Sequence, residues 1–345
     1  MRKNRRLQPE EVFAKRFVIG AFIGQGSMGA VYRATDRQTG EPRALKVMSA
    51  DLADDPGFVH RFMLEARVGA RVESPHVVRV LLSGVDEATG LPYLAMELLV
   101  GMDLERRLAS GRELERAEAA AVLRALFHAM SAAHRANIVH RDLKPENLFL
   151  ADTPAGATLK VLDFGVAKVF KESTTVGGTK PGLGTPLWTA PEQGLSGQKI
   201  RPPSDVWALG LITYRLLAGK PYWVAASTPK ASQFDLALEI LKAPIAPASE
   251  RSVRLGARDL GPAFDAWFAR CVNRDAARRY PNAGAAWEEL EPILAGRPSL
   301  LPRSTTDAPR GAARRGAGAR LVPIGALLVL VLAGVAIGLL LGLGR

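Results

Sequence analysis

His140-Arg141-Asp142-Leu143-Lys144-Pro145-Glu146-Asn147 lies near the middle of a 345-residue chain, and other short runs follow it at fixed distances. Asp163-Phe164-Gly165 comes 16 residues after Asn147, and Ala190-Pro191-Glu192 closes a 30-residue segment that begins at Asp163. Taken alone, each element is weak, since Asp163 by itself reads as a turn former and a lone lysine as a strand-edge charge. Their order along one chain carries the information.

Upstream, the sequence opens with strand-like runs. RFVIGAFIG, AVYRATD and RALKVMSA are separated by turn formers such as Gln38-Thr39-Gly40. Gly24-x-Gly26-x-x-Gly29-x-Val31 falls between the first two. That spacing fits two phosphate-binding designs. In a dinucleotide-binding fold the third glycine opens a helix. Here AVYRAT alternates as a strand, so the glycines cap a hairpin, where a backbone without β-carbons can approach phosphates closely. Lys46 stands 15 residues after Val31, on the third strand, and an amphipathic helix over about Pro56–Arg71 carries Glu65.

Together these runs resemble the eukaryotic-type (Hanks-type) serine/threonine protein kinases, in particular the membrane-anchored bacterial members. The catalytic-loop signature is complete from His140 to Asn147, and the resemblance extends over about 280 of the 345 residues with every motif in family order. Ser204-Asp205-Val206-Trp207-Ala208-Leu209-Gly210 looks like the buried helix that supports the catalytic loop. Asp275 with Arg279 looks like the late motif whose arginine pairs with the glutamate of Ala190-Pro191-Glu192. The implied fold is α+β and bilobal, with a small β-rich lobe over about 17–98 and a mainly helical lobe over about 99–295.

The resemblance also assigns roles. Phosphoryl transfer from ATP has a loose, charge-rich transition state, so positioning and charge neutralisation supply most of the catalysis. Lys46 would hold the α- and β-phosphates, with Glu65 pinning it. Asn147 and Asp163 would hold magnesium, for which manganese can substitute. Asp142 would orient the acceptor hydroxyl and take its proton, and Lys144 would neutralise the γ-phosphate. Adenine would lie between Ile23, Val31 and Ala44 above and Phe149 below, behind Met96, with its edge on backbone groups near Glu97 and Leu99; Gly24, Gly26 and Gly29 would cover the phosphates. Lys144 in its Lys-Pro-Glu-Asn context, with Gly184-Thr185-Pro186, resembles serine/threonine rather than tyrosine kinases, and Thr185 would bond the catalytic loop. Arg141 resembles the arginine that pairs with an activation-segment phosphate. Ser173, Thr174, Thr175 and Thr179 are acceptors there, with Thr179 best placed.

Some positions depart from the family pattern. Arg43 stands where an apolar residue is usual. Gly69, four residues after Glu65, replaces a packing side chain; it either permits close packing or leaves a helix that docks poorly. Trp188 and Thr189 are less usual at their places. A catalytically dead scaffold of this fold is disfavoured because Lys46, Glu65, Asp142, Asn147 and Asp163 are all present. A small-molecule kinase is disfavoured because the Ala190-Pro191-Glu192 segment is intact.

Composition is that of a globular chain, with 48% apolar and 23% charged residues. The single cysteine, Cys271, excludes an intramolecular disulfide framework. The net charge of +12 lies in the flanks: residues 1–16 carry +4 and residues 297–320 carry +5. A nearly neutral centre argues against nucleic-acid binding. Residues 1–16 read as a basic solvated tail and residues 296–320 as a flexible basic linker. Residues 321–344 form a 24-residue run without a charge, and as a helix it would reach ~36 Å, enough for a ~30 Å hydrocarbon core. Arg310, Arg314, Arg315 and Arg320 precede it, so the positive-inside rule places the kinase domain in the cytoplasm, with almost nothing beyond the helix. Gly334, Gly338 and Gly342, spaced by four, form a candidate homodimer seam in lipid. Expected partners are therefore protein substrates, membrane lipid and a second copy of the chain.

Overall fold

The computed structural model describes residues 6–296, except residues 27, 112–113, 155, 165–185, 196 and 258 and the side chains of 70 and 186. All of them belong to one compact unit, residues 1–174 with 183–299; a second unit, 175–182 with 300–345, lies outside the described residues.

The smaller lobe begins with β1 (Val12–Phe13), β2 (Phe17–Gln25), β3 (Gly29–Asp36) and β4 (Pro42–Met48). A short α1 (Ala50–Ala53) and α2 (Pro56–Ala70) follow, then β5 (Val80–Val85) and β6 (Pro92–Glu97). The six strands form an antiparallel sheet in the order β1-β2-β3-β4-β6-β5. Period-two alternation sorts the side chains: in β3, Tyr32 and Ala34 are buried while Arg33 and Thr35 are exposed. The outer face packs Phe13, Phe17, Ile19, Tyr32, Leu45, Val47 and Tyr93 into one cluster. The inner face sets Met48 and Leu94 against Phe62 and Ala66 of α2. Helix α2 starts where Asp55 accepts the Gly57 and Phe58 amides and Pro56 supplies a preset φ.

The expectation of a solvated tail over residues 1–16 is corrected by this lobe. Residues 6–16 lie on the sheet: Val12 pairs with Val18, Phe13 is only 2% exposed, and Leu7 packs on the outer cluster. Backbone bonds Glu10 N–H to Ile19 O and Ile19 N–H to Glu11 O, both 2.8 Å, fix it there. The apolar side chains Leu7 and Phe13 outweigh the basic ones around them. Residues 1–5 lie outside the described residues.

The larger lobe runs through β7 (Gly101–Asp103), α3 (Leu104–Ala109), α4 (Arg116–Arg135), β8 (Leu148–Thr153) and β9 (Gly156–Val161). It continues with α5 (Pro202–Ala218), α6 (Gln233–Lys242), α7 (Ala248–Arg254), α8 (Gly261–Cys271) and α9 (Ala283–Leu294). Strands β7, β8 and β9 make a small sheet on which the catalytic segments rest. Helix α5 is buried on all sides, with 13 of its 17 residues inside the core. Gly210 makes this packing feasible, because a β-carbon there would sit 2.6 Å from Cβ of Cys271. The α+β bilobal expectation holds. Among the described residues no helix is long and apolar enough to cross a membrane. The expected linker from residue 297, the apolar run 321–344 and Gly334, Gly338 and Gly342 lie outside the described residues.

Candidate active site

Antiparallel register between β3 and β4 pairs Val31 with Lys46 and Arg33 with Ala44, so Val31, Ala44 and Lys46 share the inner face of the sheet. Arg43 falls on the opposite face, away from the cleft. Lys46 Nζ lies 2.7 Å from Glu65 Oε1 on α2 and 3.0 Å from Asp163 Oδ1. One ammonium therefore serves two carboxylates. Burial would lower the Lys46 pKa, but Asp163 and Glu65 outweigh it and hold the amine charged. Burial, with Asp163 adding and Lys46 opposing, pushes Glu65 above its ordinary carboxylate value. For Asp163, burial is outweighed by Lys46 and by hydrogen bonding with Glu65 and Lys46, which keep its carboxyl below the usual range. The Asp163 side chain is still 47% exposed, open to the cleft.

The glycine-rich hairpin serves two purposes. Gly24 has open space where a β-carbon would stand, and a β-carbon on Gly26 would make only an ordinary contact with the Gly29 carbonyl oxygen, at 3.5 Å. Gly29 is required from within, because a β-carbon there would lie 2.0 Å from the Val47 carbonyl oxygen. The residues expected to wall a nucleotide are placed as follows. Met96 is buried at the back, Leu99 follows β6, and the Phe149 ring on β8 lies against Gly101 of the connection. Ile23, on β2, is exposed at the mouth. The Glu97 side chain is drawn away by Lys160 Nζ at 2.8 Å and the Arg79 amide at 2.9 Å.

The catalytic loop is held from beneath by one buried carboxylate. Asp205 on α5 accepts the His140 amide at 2.7 Å, the Arg141 amide at 2.9 Å and the His134 Nε2–H at 2.9 Å. Burial would raise Asp205, but the hydrogen bonds from His134 and from the His140 amide help to hold its carboxyl low. On its other side, His134 Nδ1 accepts the Ala283 amide at 3.0 Å. Arg141 adopts φ +66°, a left-handed conformation rare outside glycine. Its amide is fixed by Asp205 and its carbonyl by Gln193 Nε2 at 2.7 Å, so the strain is over-determined. Asp163 has φ +38°, and its side chain is fixed by Lys46.

At the loop's exposed end, Asn147 Nδ2 donates to the Asp142 carbonyl at 2.7 Å, and Lys144 Nζ lies 3.3 Å from Asp142 Oδ2. With its Nδ2 committed, Asn147 offers Oδ1 as a hard donor, and Asp163 adds a carboxylate, a set suited to magnesium. His140 links the two segments: Nε2–H donates to the Leu162 carbonyl at 3.0 Å, and the ring lies 4.9 Å from the buried Phe164 ring. Burial keeps that imidazole neutral, below its ordinary value.

Beyond the activation segment, Glu192 pairs with Arg279, as the late motif implies. Trp188 and Thr189 line a small pocket with Arg141, Asp142 and Lys144. Close packing does not explain Gly69, since a β-carbon there would meet only Val80 Cγ2, at 3.7 Å. The structure thus brings together Lys46, Glu65 and Asp163, and separately Asp142, Lys144 and Asn147. Gly165, Ser173, Thr174, Thr175, Thr179, Gly184 and Thr185 lie outside the described residues. Sequence reasoning missed His134 and Gln193. A histidine within the buried stripe of α4 was the available signal for the first; no spacing marks the second.

Comparisons with known proteins agree with this geometry. A sequence profile of the protein kinase domain family matches residues 17–284. The probable serine/threonine-protein kinase SCO3848 of Streptomyces coelicolor is 33% identical over 82% of this chain and 40% of its own length. PknB of Mycobacterium leprae is 31% identical over 86% of this chain and 46% of its own. This chain therefore spans less than half the length of either relative. PknL of Mycobacterium bovis is 35% identical over 87% of this chain and 70% of its own. The solved kinase domain of Mycobacterium tuberculosis PknI has a TM-score of 0.61 at 23% identity, covering 84% of this chain and 100% of that domain, which speaks to the fold. With its lysine, two carboxylates and catalytic loop in family order and in contact, the chain belongs to the protein kinase domain family.

Proposed function

We propose that this chain is a serine/threonine protein kinase that transfers the γ-phosphoryl group of ATP to hydroxyls of protein substrates. The observation that carries the reading is the Lys46 ammonium held by Glu65 and Asp163 from two distant parts of the chain. Lys46 grips the α- and β-phosphates, and Glu65 keeps it aimed. Asn147 and Asp163 hold the divalent ion, magnesium by its preference for hard oxygen donors, which supplies charge neutralisation of the phosphates when bound. Asp142 orients the acceptor hydroxyl and takes its proton, and Lys144 neutralises charge on the transferring group. The Lys144-Pro145-Glu146-Asn147 context and the names of the curated relatives favour serine and threonine acceptors.

The same reading extends to the flanks. Residues 321–344 anchor the chain in a membrane as a single pass, with the kinase domain cytoplasmic, supported by the uncharged run and the arginines before it. Autophosphorylation at Thr179, with Thr174 and Thr175 as further acceptors, activates the enzyme through Arg141. Gly334, Gly338 and Gly342 pair two copies, which makes that step effectively intramolecular. The test is ATP-dependent labelling of casein by the full chain and by Asp142→Asn, followed by phosphoamino-acid analysis. Phosphoserine or phosphothreonine from the first and none from the second is expected. Equal labelling by both sinks the assignment.

A further inference from the structure

Met28 lies at the tip of the glycine-rich hairpin, between Gly26 and Gly29, yet it is only 5% exposed. Its backbone is held at the tip. The Gly26 N–H donates to the Gly29 carbonyl at 2.7 Å, and the Ser49 N–H donates to the Met28 carbonyl at 2.9 Å. The side chain belongs to the buried cluster that sets Met48 and Leu94 of the sheet against Phe62 and Ala66 of α2. One side chain of the hairpin thus reaches the core beneath the helix that carries Glu65.

Phe62, Glu65, Ala66 and Gly69 recur at i, i+3, i+4 and i+7, so they share one face of α2. Phe62 and Ala66 seat that face in the cluster. Gly69, at its far end, offers no side chain, and among the described residues a β-carbon there would meet only Val80 Cγ2, at 3.7 Å. The aim of Glu65 therefore rests on the end of the face that Met28 helps to bury. Met63 of α2 packs against the same cluster, so three of the seven methionines gather here. Unbranched thioether side chains keep contact while their neighbours shift.

We propose that Met28 is a positioning residue for phosphoryl transfer: it carries the closing of the glycine-rich hairpin over ATP to α2, and so keeps Glu65 on Lys46. This rests on the kinase reading above. As the hairpin settles on the phosphates, Met28 completes the cluster beneath Phe62. Glu65 then stays on the Lys46 ammonium, and the ammonium stays on the phosphates. Without the Met28 side chain, hairpin and helix move independently and the lysine loses its aim.

ATP affinity of the full chain with magnesium is measured by calorimetry for wild type, Met28→Ala, Met28→Gln and Met28→Leu. The same is done for Glu65→Gln alone and combined with Met28→Ala. Glutamine has nearly the length of methionine, so it removes the apolar contact without opening a hole, and circular dichroism checks that each variant is folded. Met28→Ala and Met28→Gln weaken ATP binding about tenfold, and Met28→Leu less than about twofold. In the Glu65→Gln background Met28→Ala costs less than about twofold, because the group it acts through is gone. In methionine-labelled wild type the Met63 methyl signal shifts when ATP is added. A full additive loss in the Glu65→Gln background, an affinity untouched by both Met28→Ala and Met28→Gln, or an unmoved Met63 signal overturns the proposal. A wild type that binds ATP but labels no casein refutes the kinase reading alone, and the affinities still decide the role of Met28. A wild type that binds no ATP overturns both.

Discussion

Arg279 and Glu192 meet in a double hydrogen bond, Nη1 to Oε1 at 2.8 Å and Nη2 to Oε2 at 2.9 Å, with the arginine side chain fully buried. Arg279 also donates to the carbonyls of Pro203 and Asn273, and Ser204 Oγ donates to Glu192 at 2.7 Å. Burial would raise the Glu192 pKa, but Arg279 outweighs it and holds the carboxyl low. Removing one partner leaves the other buried and uncompensated, so Arg279→Met lowers stability by about 3–5 kcal/mol in urea unfolding. The pair's contribution is complete above the ordinary glutamate value and fades as the pH falls through the lower folded one. A loss below about 1 kcal/mol, the scale of an exposed pair, overturns this.

Lys46 carries chemistry rather than stability. Lys46→Ala and Asp163→Ala each reduce phosphoryl transfer by a thousandfold or more, on the order expected for charge-positioning groups, while the circular dichroism spectrum is kept. The two diverge at Glu65. Without Asp163 a repelling neighbour is gone and Glu65 titrates lower than in the intact protein; without Lys46 it titrates higher. Carbon-13 titration of the glutamates reads both directions. Movement in the same direction excludes the shared-ammonium account.

Arg16 anchors the N-terminal segment through Asp36, whose carboxylate it grips at 2.9 and 2.7 Å. That grip, with the Gln38 amide, holds Asp36 at about 2 against burial. The folded value lies below the unfolded one, so the stabilisation is present at neutral pH and fades as the pH falls from about 4 through about 2. Asp36→Asn costs on the order of 2 kcal/mol at pH 7 and almost nothing at pH 2. Equal losses at both pH values in denaturant titrations contradict this.

Gly69→Ala stabilises the protein. Its β-carbon finds only an ordinary contact with Val80, and alanine gains up to about 1 kcal/mol over glycine inside a helix, less in the last turn where Gly69 lies. A rise in the thermal midpoint with undiminished kinase activity is expected. A fall means that the glycine serves a packing the open space does not reveal.

Much of the site was legible because phosphoryl transfer needs particular side chains at particular steps of the chain. Lys46, Glu65, Asp142, Asn147 and Asp163 were identified from spacing and family order, and the structure joins them into two contacting groups. The N-terminal strand was not legible. Six basic residues in the first sixteen read as a solvated face, whereas Leu7 and Phe13 decide where the backbone lies. Gly29 was assigned to phosphate access and is needed for the close approach of β4. Gln193 acts through backbone groups, the Arg141 carbonyl and the Ala190 amide, and backbone demands leave no side-chain pattern.

Asp205 has a kinetic consequence. Its carboxylate takes up the amides of His140 and Arg141, and it belongs to a helix with 13 of its 17 residues buried. Opening those two amides breaks bonds to a buried carboxylate, so their isotope exchange is expected to be slow. Heat is then expected to abolish turnover together with the melt of the domain, which activity and circular dichroism followed over the same temperatures would check.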